Sequence, residues 1–385
     1  MNSRRPHLIP RCLAYGVLVA LATTIHSPAT AADAPATNAP VRRAAQGPLV
    51  SPEILSGGAV VFRLKAPKAG AVKVSGQFGA DAPMTLDTNG VWSVTVPSVP
   101  AGVHEYHFVV DGLNIIDPQN SAVKPQRWPG VSILHVPATP PAPWDLQDIP
   151  HGTVHEHTYR SRALGTWRRL FVYTPPGAAA GPLPVLYLAH GYSDNEATWT
   201  AHGKAHWILD SLIAGGKAVP MIVVMPDAHA IPPGAAGFEE YGPANSDALC
   251  RELAQDIIPL VEQNYNVDAR PAARGFAGLS MGGHHALTVA LNHHDQFRWI
   301  GAFSSAPPPP KSVSAGLDHA DAVNRDLQLF WIACGKKDFL FQRNGEFDAL
   351  LNSRGVRHDY VITEGDHSWP VWRLYLTEFV PKLFR

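Results

Sequence analysis

A serine set between two glycines constrains the fold of this chain most. It is Ser280, in the pentapeptide Gly-Leu-Ser-Met-Gly at 278–282, which follows the apolar run 275–277 and precedes a helix-like stretch at 283–291. A strand that turns into a helix at a serine needs glycines on both sides, because flanking side chains would clash. The pattern predicts a strand–turn–helix that exposes the Ser280 hydroxyl and points the N–H groups of a helix N-terminus towards it.

Apolar, strand-like segments alternate with helical patterns from residue 151 to the C-terminus. The strand-like segments cover 185–189, 222–225, 275–277, 300–304, 329–333 and 360–362, after a hairpin of 153–159 and 169–173. Continuous apolar strands between helices are typical of a parallel sheet with both faces covered. We therefore predict an α/β domain, with a mostly parallel sheet covered by helices, over 151–385.

Residues 49–137 follow a period of two instead, as in Val60, Phe62 and Leu64. Turn dipeptides separate the short strand-like runs at Asn89-Gly90 and Asp111-Gly112. Several short strands at such spacing favour an antiparallel β-sandwich. A proline-rich stretch at 138–150 then predicts a linker between the two domains.

The N-terminus has the pattern of an export signal. Arg4, Arg5 and Arg11 form a basic start, residues 13–22 an apolar core, and Ala29-Thr30-Ala31 a small-residue cleavage site. About ten apolar residues are too few for a membrane span, so no stable membrane anchor is expected. We predict that 1–31 is a signal peptide cleaved near Ala31, that 32–48 is a flexible leader, and that the protein is periplasmic or secreted.

Charge and cysteine content exclude two classes of protein. Removing 1–31 leaves 28 basic and 32 acidic residues, a net charge of −4 that does not favour nucleic acid. The two remaining cysteines, Cys250 and Cys334, are too few for a disulfide framework, and the sequence does not determine whether they pair. The 45% hydrophobic composition is that of a globular protein.

A serine hydroxyl needs a histidine base and a carboxylate that holds the histidine in the right tautomer. In the α/β-hydrolase fold these partners follow the serine in the order acid, histidine, each after a later strand. Asp338 follows the strand ending at 333, and His367 follows the strand ending at 362. Asp366 and Glu364 remain alternative acids, although a carboxylate next to the histidine in sequence rarely reaches its ring.

An oxyanion hole requires two N–H donors near the serine. We expect the backbone N–H of Met281 and that of Tyr192, which follows His190-Gly191 after the strand 185–189. His190 is expected to be a buried structural histidine. Three aromatic residues in loops on the same side are candidates to bind a flat acyl group or, equally, to be core or lid residues: Trp199, Phe339 and Trp369.

His155 and His157 alternate on a predicted strand and suggest a metal site. No third ligand follows at suitable spacing, so we predict no metal here and a solvent-facing pair instead.

Several motifs together resemble the esterase D-like branch of α/β-hydrolases, which includes feruloyl and acetylxylan esterases of carbohydrate esterase family 1 and enterochelin esterases. The resemblance spans 152–385 and implies Ser280 as nucleophile, Asp338 as acid and His367 as base, without a metal or cofactor. His284-His285 departs from many relatives, which we expect to alter packing rather than chemistry. The motifs lie at 172–177, 190–191, 220–227, 278–283, 334–338 and 367–373.

The preceding sandwich resembles early-set domains of the carbohydrate-binding-module-48 (CBM48) type. This resemblance implies glycan binding through Trp92, Tyr106 or Trp128, or a role in shaping the mouth of the esterase pocket. A strand tryptophan such as Trp92 is, however, more commonly buried.

The sequence thus favours an exported serine carboxylesterase that releases ferulate or other hydroxycinnamates from an acylated plant cell-wall polysaccharide or oligosaccharide. The alternatives are an acetylxylan esterase, a siderophore esterase, an acyltransferase and an inactive glycan-binding protein. Candidate loops that are not notably basic argue against an anionic siderophore ester. The sequence does not indicate an oligomeric state.

Overall fold

The computed structural model of the protein describes residues 48–177, 181–232 and 238–385, with the side chains of residues 238 and 239 left out. The predicted signal peptide and nearly all of the predicted leader lie outside these residues. Leu49–Arg385 form one compact unit. Among the helices in the described ranges, none is long and apolar enough to cross a membrane.

An antiparallel β-sandwich forms the first part of this unit, as predicted. One sheet has the order β1-β2-β6-β5, and the other has β4-β3-β7-β8 with β9 paired to β7. Alternate residues such as Phe62 and Phe108 point inwards and are fully buried. The strands are β1 (Glu53–Ile54), β2 (Val60–Lys65), β3 (Val72–Gly76), β4 (Ala82–Pro83), β5 (Thr85–Leu86), β6 (Val91–Val96), β7 (Gly102–Val110), β8 (Leu113–Ile115) and β9 (Ser132–Val136).

An eight-stranded mixed sheet follows, in the order β10-β11-β13-β12-β14-β15-β16-β17. Strands β10 and β11 form an antiparallel hairpin, and β11 pairs antiparallel with β13. The six strands β12 to β17 are parallel to one another. This arrangement confirms the predicted α/β-hydrolase architecture. The strands are β10 (Thr153–Ser161), β11 (Thr166–Thr174), β12 (Val185–Ala189), β13 (Ile222–Pro226), β14 (Arg274–Leu279), β15 (Trp299–Phe303), β16 (Leu329–Gly335) and β17 (Asp359–Thr363).

Helices cover both faces of this sheet. One core cluster includes Leu287 of the helix after β14, and the other includes Ile208 and Leu376 of helices on the opposite face. The periodic apolar pattern near 248–265 forms two helices joined by a π-helical turn, Leu253–Ile257. The helices are α1 (Thr198–Ala201), α2 (Ala205–Ala214), α3 (Phe238–Glu252), α4 (Ile258–Asn264), α5 (Met281–Asn292), α6 (Ser314–Asp318), α7 (Ala320–Asp326), α8 (Phe341–Ser353) and α9 (Trp369–Phe379).

The topology places several polar segments at one edge of the sheet. Carboxyl ends of parallel strands meet at the same edge, which is where ligands bind in open α/β sheets. Ser280 follows β14, Asp338 follows β16 and His367 follows β17, while Gly191 follows β12. Residues far apart in sequence therefore converge there.

Candidate active site

Ser280 occupies the turn between β14 and α5 in a backbone conformation that side chains rarely adopt, with φ 52° and ψ −109°. Close backbone approach requires the glycines on either side. A Cβ on Gly278 would lie 2.5 Å from the carbonyl carbon of Gly282, and a Cβ on Gly282 would lie 2.5 Å from the Ala189 oxygen. The strained turn therefore depends on tight packing of β12, β14 and α5.

A continuous hydrogen-bonded chain joins Ser280, His367 and Asp338. The distance from His367 Nε2 to Ser280 Oγ is 3.0 Å, and His367 Nδ1 lies 2.9 Å from Asp338 Oδ2 and 3.0 Å from Oδ1. Because a carboxylate only accepts, Nδ1 carries the proton of a neutral imidazole and Nε2 accepts from the Ser280 hydroxyl. This tautomer suits a general base.

Asp338 is buried but remains readily ionised. Burial alone would raise its pKa, but hydrogen bonds from the His367 ring and from the Leu340 N–H, at 2.8 Å, outweigh it. The pKa of Asp338 therefore lies below its ordinary value, and the carboxylate is charged at neutral pH.

The two competing carboxylates make contacts elsewhere. Glu364 Oε1 lies 2.6 Å from Lys336 Nζ, and Asp366 accepts a hydrogen bond from the Ser368 hydroxyl. Because Glu364 and Asp366 contact Lys336 and Ser368, these contacts favour Asp338 as the partner of His367.

The segment His190–Tyr192 lies directly against the serine turn. A Cβ on Gly191 would stand 2.7 Å from Leu279 Cδ1 and 3.6 Å from Ser280 Cβ. His190, which is buried as predicted, has Nδ1 2.8 Å from the Gly191 oxygen and accepts the Ala228 N–H at 2.9 Å through Nε2. His190 thus orients the Gly191–Tyr192 peptide, whose N–H is the candidate oxyanion donor.

A second histidine, His229, which the sequence analysis missed, contacts the backbone carbonyl of Tyr192. His229 Nε2 lies 2.8 Å from the Tyr192 oxygen, and Nδ1 lies 2.6 Å from the Tyr241 hydroxyl. Burial lowers the pKa of His229 to about 4, so the ring is neutral at pH 7 and donates to the carbonyl. Its position just after β13 was the available signal, since that loop reaches the same edge of the sheet.

His284 and His285 are buried in α5. His285 Nδ1 lies 2.6 Å from the Ser246 hydroxyl, and Nε2 lies 3.2 Å from the Ala228 oxygen. Burial lowers the pKa of His285 well below its ordinary value. His285 therefore packs α5 against α3 and the loop after β13, whereas His284 Nδ1 lies 2.8 Å from the Ala306 oxygen.

The three predicted acyl-binding aromatics have different surroundings. Phe339 is 75% exposed, and its ring centroid lies 4.4 Å from that of His367. Trp199 and Trp369 are instead core residues, 1% and 3% exposed, with their rings packed edge-to-face at 5.0 Å. Trp199 also donates to the Ala189 oxygen at 3.0 Å. Of the two alternatives given for these tryptophans, their burial favours a core role over contact with substrate.

Another aromatic supports the histidine. Trp372, in α9, is largely buried and packs its ring perpendicular to His367, with centroids 4.9 Å apart. The sequence analysis did not single it out, although its place one turn into the helix after His367 was visible.

Only one of the three predicted glycan-contacting aromatics is exposed. Trp92 is buried and donates to the Ala66 oxygen, and Tyr106 is buried with its hydroxyl 2.8 Å from Asp117 Oδ2. Trp128 is 67% exposed, and the Arg127 guanidinium lies 4.2 Å from its ring and 4.8 Å from the Tyr192 ring. Tyr106 is corrected to a core residue, and Trp92 is buried, as is common for a strand tryptophan. The exposed Trp128 packs on Arg127, which also contacts the Tyr192 ring.

His155 and His157 make ordinary polar contacts. Their Nε2 atoms lie 3.1 Å from the Thr174 hydroxyl and 2.5 Å from the Tyr265 hydroxyl. Within the three described ranges, no group of three or more His, Cys, Asp or Glu residues is placed to hold a metal ion. Cys250 and Cys334 are both free thiols.

The arrangement combines the parts that acyl transfer needs. A hydroxyl in a strained turn contacts a histidine base, the base is oriented by a buried carboxylate, and an oriented peptide lies beside the hydroxyl. Such a site can attack a carbonyl carbon and stabilise the negative charge that develops on its oxygen.

Two family models match the chain. Residues 161–383 match the Esterase family, described as "Putative esterase", and residues 47–125 match carbohydrate-binding module 48, the isoamylase N-terminal domain. The first match covers more than half of the chain.

Similar proteins have related names. An endo-1,4-beta-xylanase/feruloyl esterase from Xylanibacter ruminicola is 30% identical over 346 residues, which cover 87% of this chain and 46% of that protein. This chain therefore spans about half the length of that relative. A CE1 ferulic acid esterase from Anaeromyces mucronatus, solved with ferulic acid, has a TM-score of 0.54 at 25% identity and covers 62% of this chain and 93% of that one.

The enterobactin esterase of Shigella flexneri has a TM-score of 0.59 at 20% identity, covering 85% of this chain and 92% of its own, which shows a shared fold. The two family matches agree with the observed folds, because the Esterase match lies on the mixed sheet and the CBM48 match on the sandwich. The chain belongs to the Esterase family of carboxylic ester hydrolases, with an α/β-hydrolase fold behind a CBM48-like antiparallel β-sandwich.

Proposed function

We propose that this protein is an exported serine carboxylesterase in which Ser280 is the nucleophile, His367 the general base and Asp338 the orienting acid. The hydrogen-bonded chain from Ser280 through His367 to Asp338, at the strained turn after β14, carries the proposal. The signal peptide predicted for 1–31 supports an extracytoplasmic substrate.

The reaction begins when Ser280 Oγ attacks the ester carbonyl and its proton passes to His367 Nε2. Asp338 stabilises the imidazolium that forms, and the N–H groups of Met281 and Tyr192 stabilise the oxyanion. Collapse of the tetrahedral intermediate breaks the ester C–O bond, and His367 protonates the leaving alcohol. Water, deprotonated by His367, then attacks the acyl-enzyme; the acid leaves and Ser280 regains its proton.

Phe339 supports a flat, aromatic acyl group. Its exposed ring lies beside His367, so the ring of a hydroxycinnamate could stack on it while the ester carbonyl reaches Ser280. Relatives named feruloyl or ferulic acid esterases suggest ferulate as this acyl group. We therefore infer that the substrate is a feruloylated plant polysaccharide or its oligosaccharides.

A catecholate siderophore ester is the second candidate. Arg127 contributes a cationic side chain near Tyr192, which would attract an anionic catecholate, and the fold of an enterobactin esterase is similar. The sequence analysis considered only the loops of the hydrolase domain. It therefore did not include the positive charge of Arg127, which belongs to the sandwich.

We expect Phe339→Ala to raise KM for methyl ferulate about 3- to 10-fold, since an aromatic contact contributes about 0.5–1.5 kcal/mol. Steady-state kinetics on methyl ferulate and p-nitrophenyl acetate measure the effect. The acetate has no acyl ring, so its KM should change less. Equal losses on both esters would mean that Phe339 acts through His367 instead.

Trp128→Ala is expected to lower the ratio of kcat/KM on a feruloylated arabinoxylan oligosaccharide to kcat/KM on methyl ferulate. The expected decrease is about five-fold, for a contact on the order of 1 kcal/mol. Trp167→Ala is the matched control, because Trp167 is 65% exposed on β11. An unchanged ratio in Trp128→Ala would show that the sugar of the substrate does not contact Trp128.

The function itself is tested by comparing wild type and Ser280→Ala on methyl ferulate, p-nitrophenyl acetate and a catechoyl-serine ester. Preferred release of ferulate, lost in the variant, supports the proposal. Preference for the catecholate favours the second candidate, and cleavage of acetate alone moves the substrate to a small acyl ester. Added alcohol or sugar acceptors would reveal acyl transfer, and hydrolysis retained by the variant contradicts the assigned nucleophile.

A further inference from the structure

A segment of the sandwich runs along the loop that carries Tyr192. In the chain it lies between β8 and β9, at 124–127. The Arg127 N–H donates to the Ser193 oxygen at 2.9 Å, Gln126 and Asp194 form an antiparallel bridge, and the Thr198 hydroxyl donates to the Pro125 oxygen. Backbone contacts therefore join the two segments, here called the sandwich segment (124–127) and the oxyanion loop (190–198).

A buried lysine lies at the start of the sandwich segment. The Lys124 side chain is 7% exposed, and its Nζ lies 2.9 Å from Glu105 Oε1 and 3.6 Å from Asp194 Oδ1. Glu105 belongs to β7 of the sandwich, whereas Asp194 belongs to the oxyanion loop and is 3% exposed. Lys124 thus joins carboxylates from both domains in a place where water cannot replace it.

The two carboxylates around this lysine have pKa values shifted in opposite directions. Burial raises the pKa of Asp194, although Lys124 opposes that shift. Burial would raise the pKa of Glu105, but His202 and Lys124 outweigh it and bring the pKa to about 2, so this carboxylate is ionised. His202 Nε2 lies 3.2 Å from Glu105 Oε1, and burial lowers the pKa of His202 to about 4. Lys124 is the cation in direct contact with the Glu105 carboxylate, at 2.9 Å.

The hydrolase domain also reaches into the sandwich. Arg373 of α9 is 1% exposed and donates to the His202 oxygen and to the Val103 oxygen of β7, both at 3.0 Å. Strand β7 is therefore held against the hydrolase domain independently of Lys124. The Glu105 carboxylate that binds the lysine thus lies on a rigid strand.

Asp194 connects this network to the candidate oxyanion donor. The Asp194 N–H donates to the Gly191 oxygen at 3.2 Å, the same oxygen that His190 contacts. A Cβ on Gly191 would stand 3.2 Å from Asp194 Oδ2, so the carboxylate packs directly on this peptide. On the next peptide, Arg127 Nη1 donates to the Tyr192 oxygen at 3.4 Å.

We propose that Lys124 is a positioning residue for the oxyanion hole, which makes the sandwich part of the catalytic apparatus even for substrates without sugar. The inference rests on the proposed function, in which the Tyr192 N–H binds the oxyanion. Loss of the lysine leaves Asp194 unpaired and lets the loop move, so the N–H no longer points where charge develops.

The test is Lys124→Met in the full chain, assayed with p-nitrophenyl acetate and with phenylboronic acid, which forms a tetrahedral adduct on an active serine. We expect kcat to fall about 10- to 100-fold, KM to change less than about two-fold, and boronate inhibition to weaken by the same factor as kcat/KM. Lys73→Met is the matched control, because Lys73 pairs with Asp81 at 2.5 Å on the exposed surface of the sandwich.

Thermal unfolding separates positioning from loss of fold. If Lys124→Met does not fold, Asp194→Asn keeps the shape of the side chain and the lysine's bond to Glu105, and it should show the same kcat and boronate losses. Wild-type kcat in a folded variant overturns the inference, as does a kcat loss without weaker boronate binding. If Ser280→Ala is inactive while Lys124→Met is normal, this inference alone fails; if Ser280→Ala is active, the proposed function fails.

Discussion

Replacing Ser280 with alanine is expected to lower kcat for methyl ferulate by a factor of roughly 10⁴–10⁶, because loss of a nucleophile removes the acyl-enzyme route altogether. Residual hydrolysis would come from binding and the oxyanion hole alone. Ser280→Ala/His367→Ala should be no slower than Ser280→Ala, since the two residues act as one unit. Steady-state hydrolysis, followed by acid release, measures both variants.

Comparing Ser280→Gly with Ser280→Ala separates the loss of the nucleophile from the effect of backbone strain at this position. Ser280 has a φ of 52° and a ψ of −109°, a region that glycine enters at lower cost. Ser280→Gly should therefore be as inactive as Ser280→Ala, yet more stable than it by about 1 kcal/mol in thermal unfolding. Ser353→Ala, at an exposed position in α8, serves as the control for serine removal. Hydrolysis near the wild-type rate in either Ser280 variant would refute the assigned nucleophile.

Asp338→Asn is expected to lower kcat roughly 10³- to 10⁴-fold while leaving the fold intact. The carboxylate accepts from His367 Nδ1, which leaves Nε2 unprotonated towards Ser280. An asparagine amide in its place would donate to Nδ1, so the proton would move to Nε2 and the ring could no longer accept from the serine. Kinetics on methyl ferulate, with circular dichroism to check the fold, measure the effect.

Two neighbouring carboxylates provide the control. Asp366→Asn and Glu364→Gln remove charges from the same loop as His367, but these side chains contact Ser368 and Lys336. We expect both variants to hydrolyse methyl ferulate within about three-fold of wild type, as for surface charges. A large loss in Asp366→Asn with a normal Asp338→Asn would transfer the acid role to Asp366.

Chain order predicted the arrangement of the serine, acid and histidine because parallel strands impose a common edge. Once 278–282, 334–338 and 363–367 were recognised as loops after strands, their side chains had to meet there. The same reasoning located Gly191–Tyr192 after β12. These are consequences of local sequence pattern combined with one topological rule.

Loop position did not predict burial. Trp199 and Trp369 follow the correct strands, yet they pack on each other under neighbouring helices, whereas Phe339 is exposed. Which aromatic in a loop faces solvent depends on residues far away in sequence. The same limit applies to Tyr106, which is a core residue, and Trp128, which is exposed.

Hydrophobic periodicity and glycine spacing are local properties, and they were enough to predict the two-part architecture, the strand–turn–helix at Ser280 and its candidate partners. Only the tertiary structure revealed His229 on the Tyr192 carbonyl and Lys124 between Glu105 and Asp194. These contacts join segments that nothing in the local pattern relates. The first contact depends on how the loops after β12 and β13 pack against each other. The second depends on how the sandwich packs against the hydrolase domain, and burial of charge, not periodicity, gives it its effect.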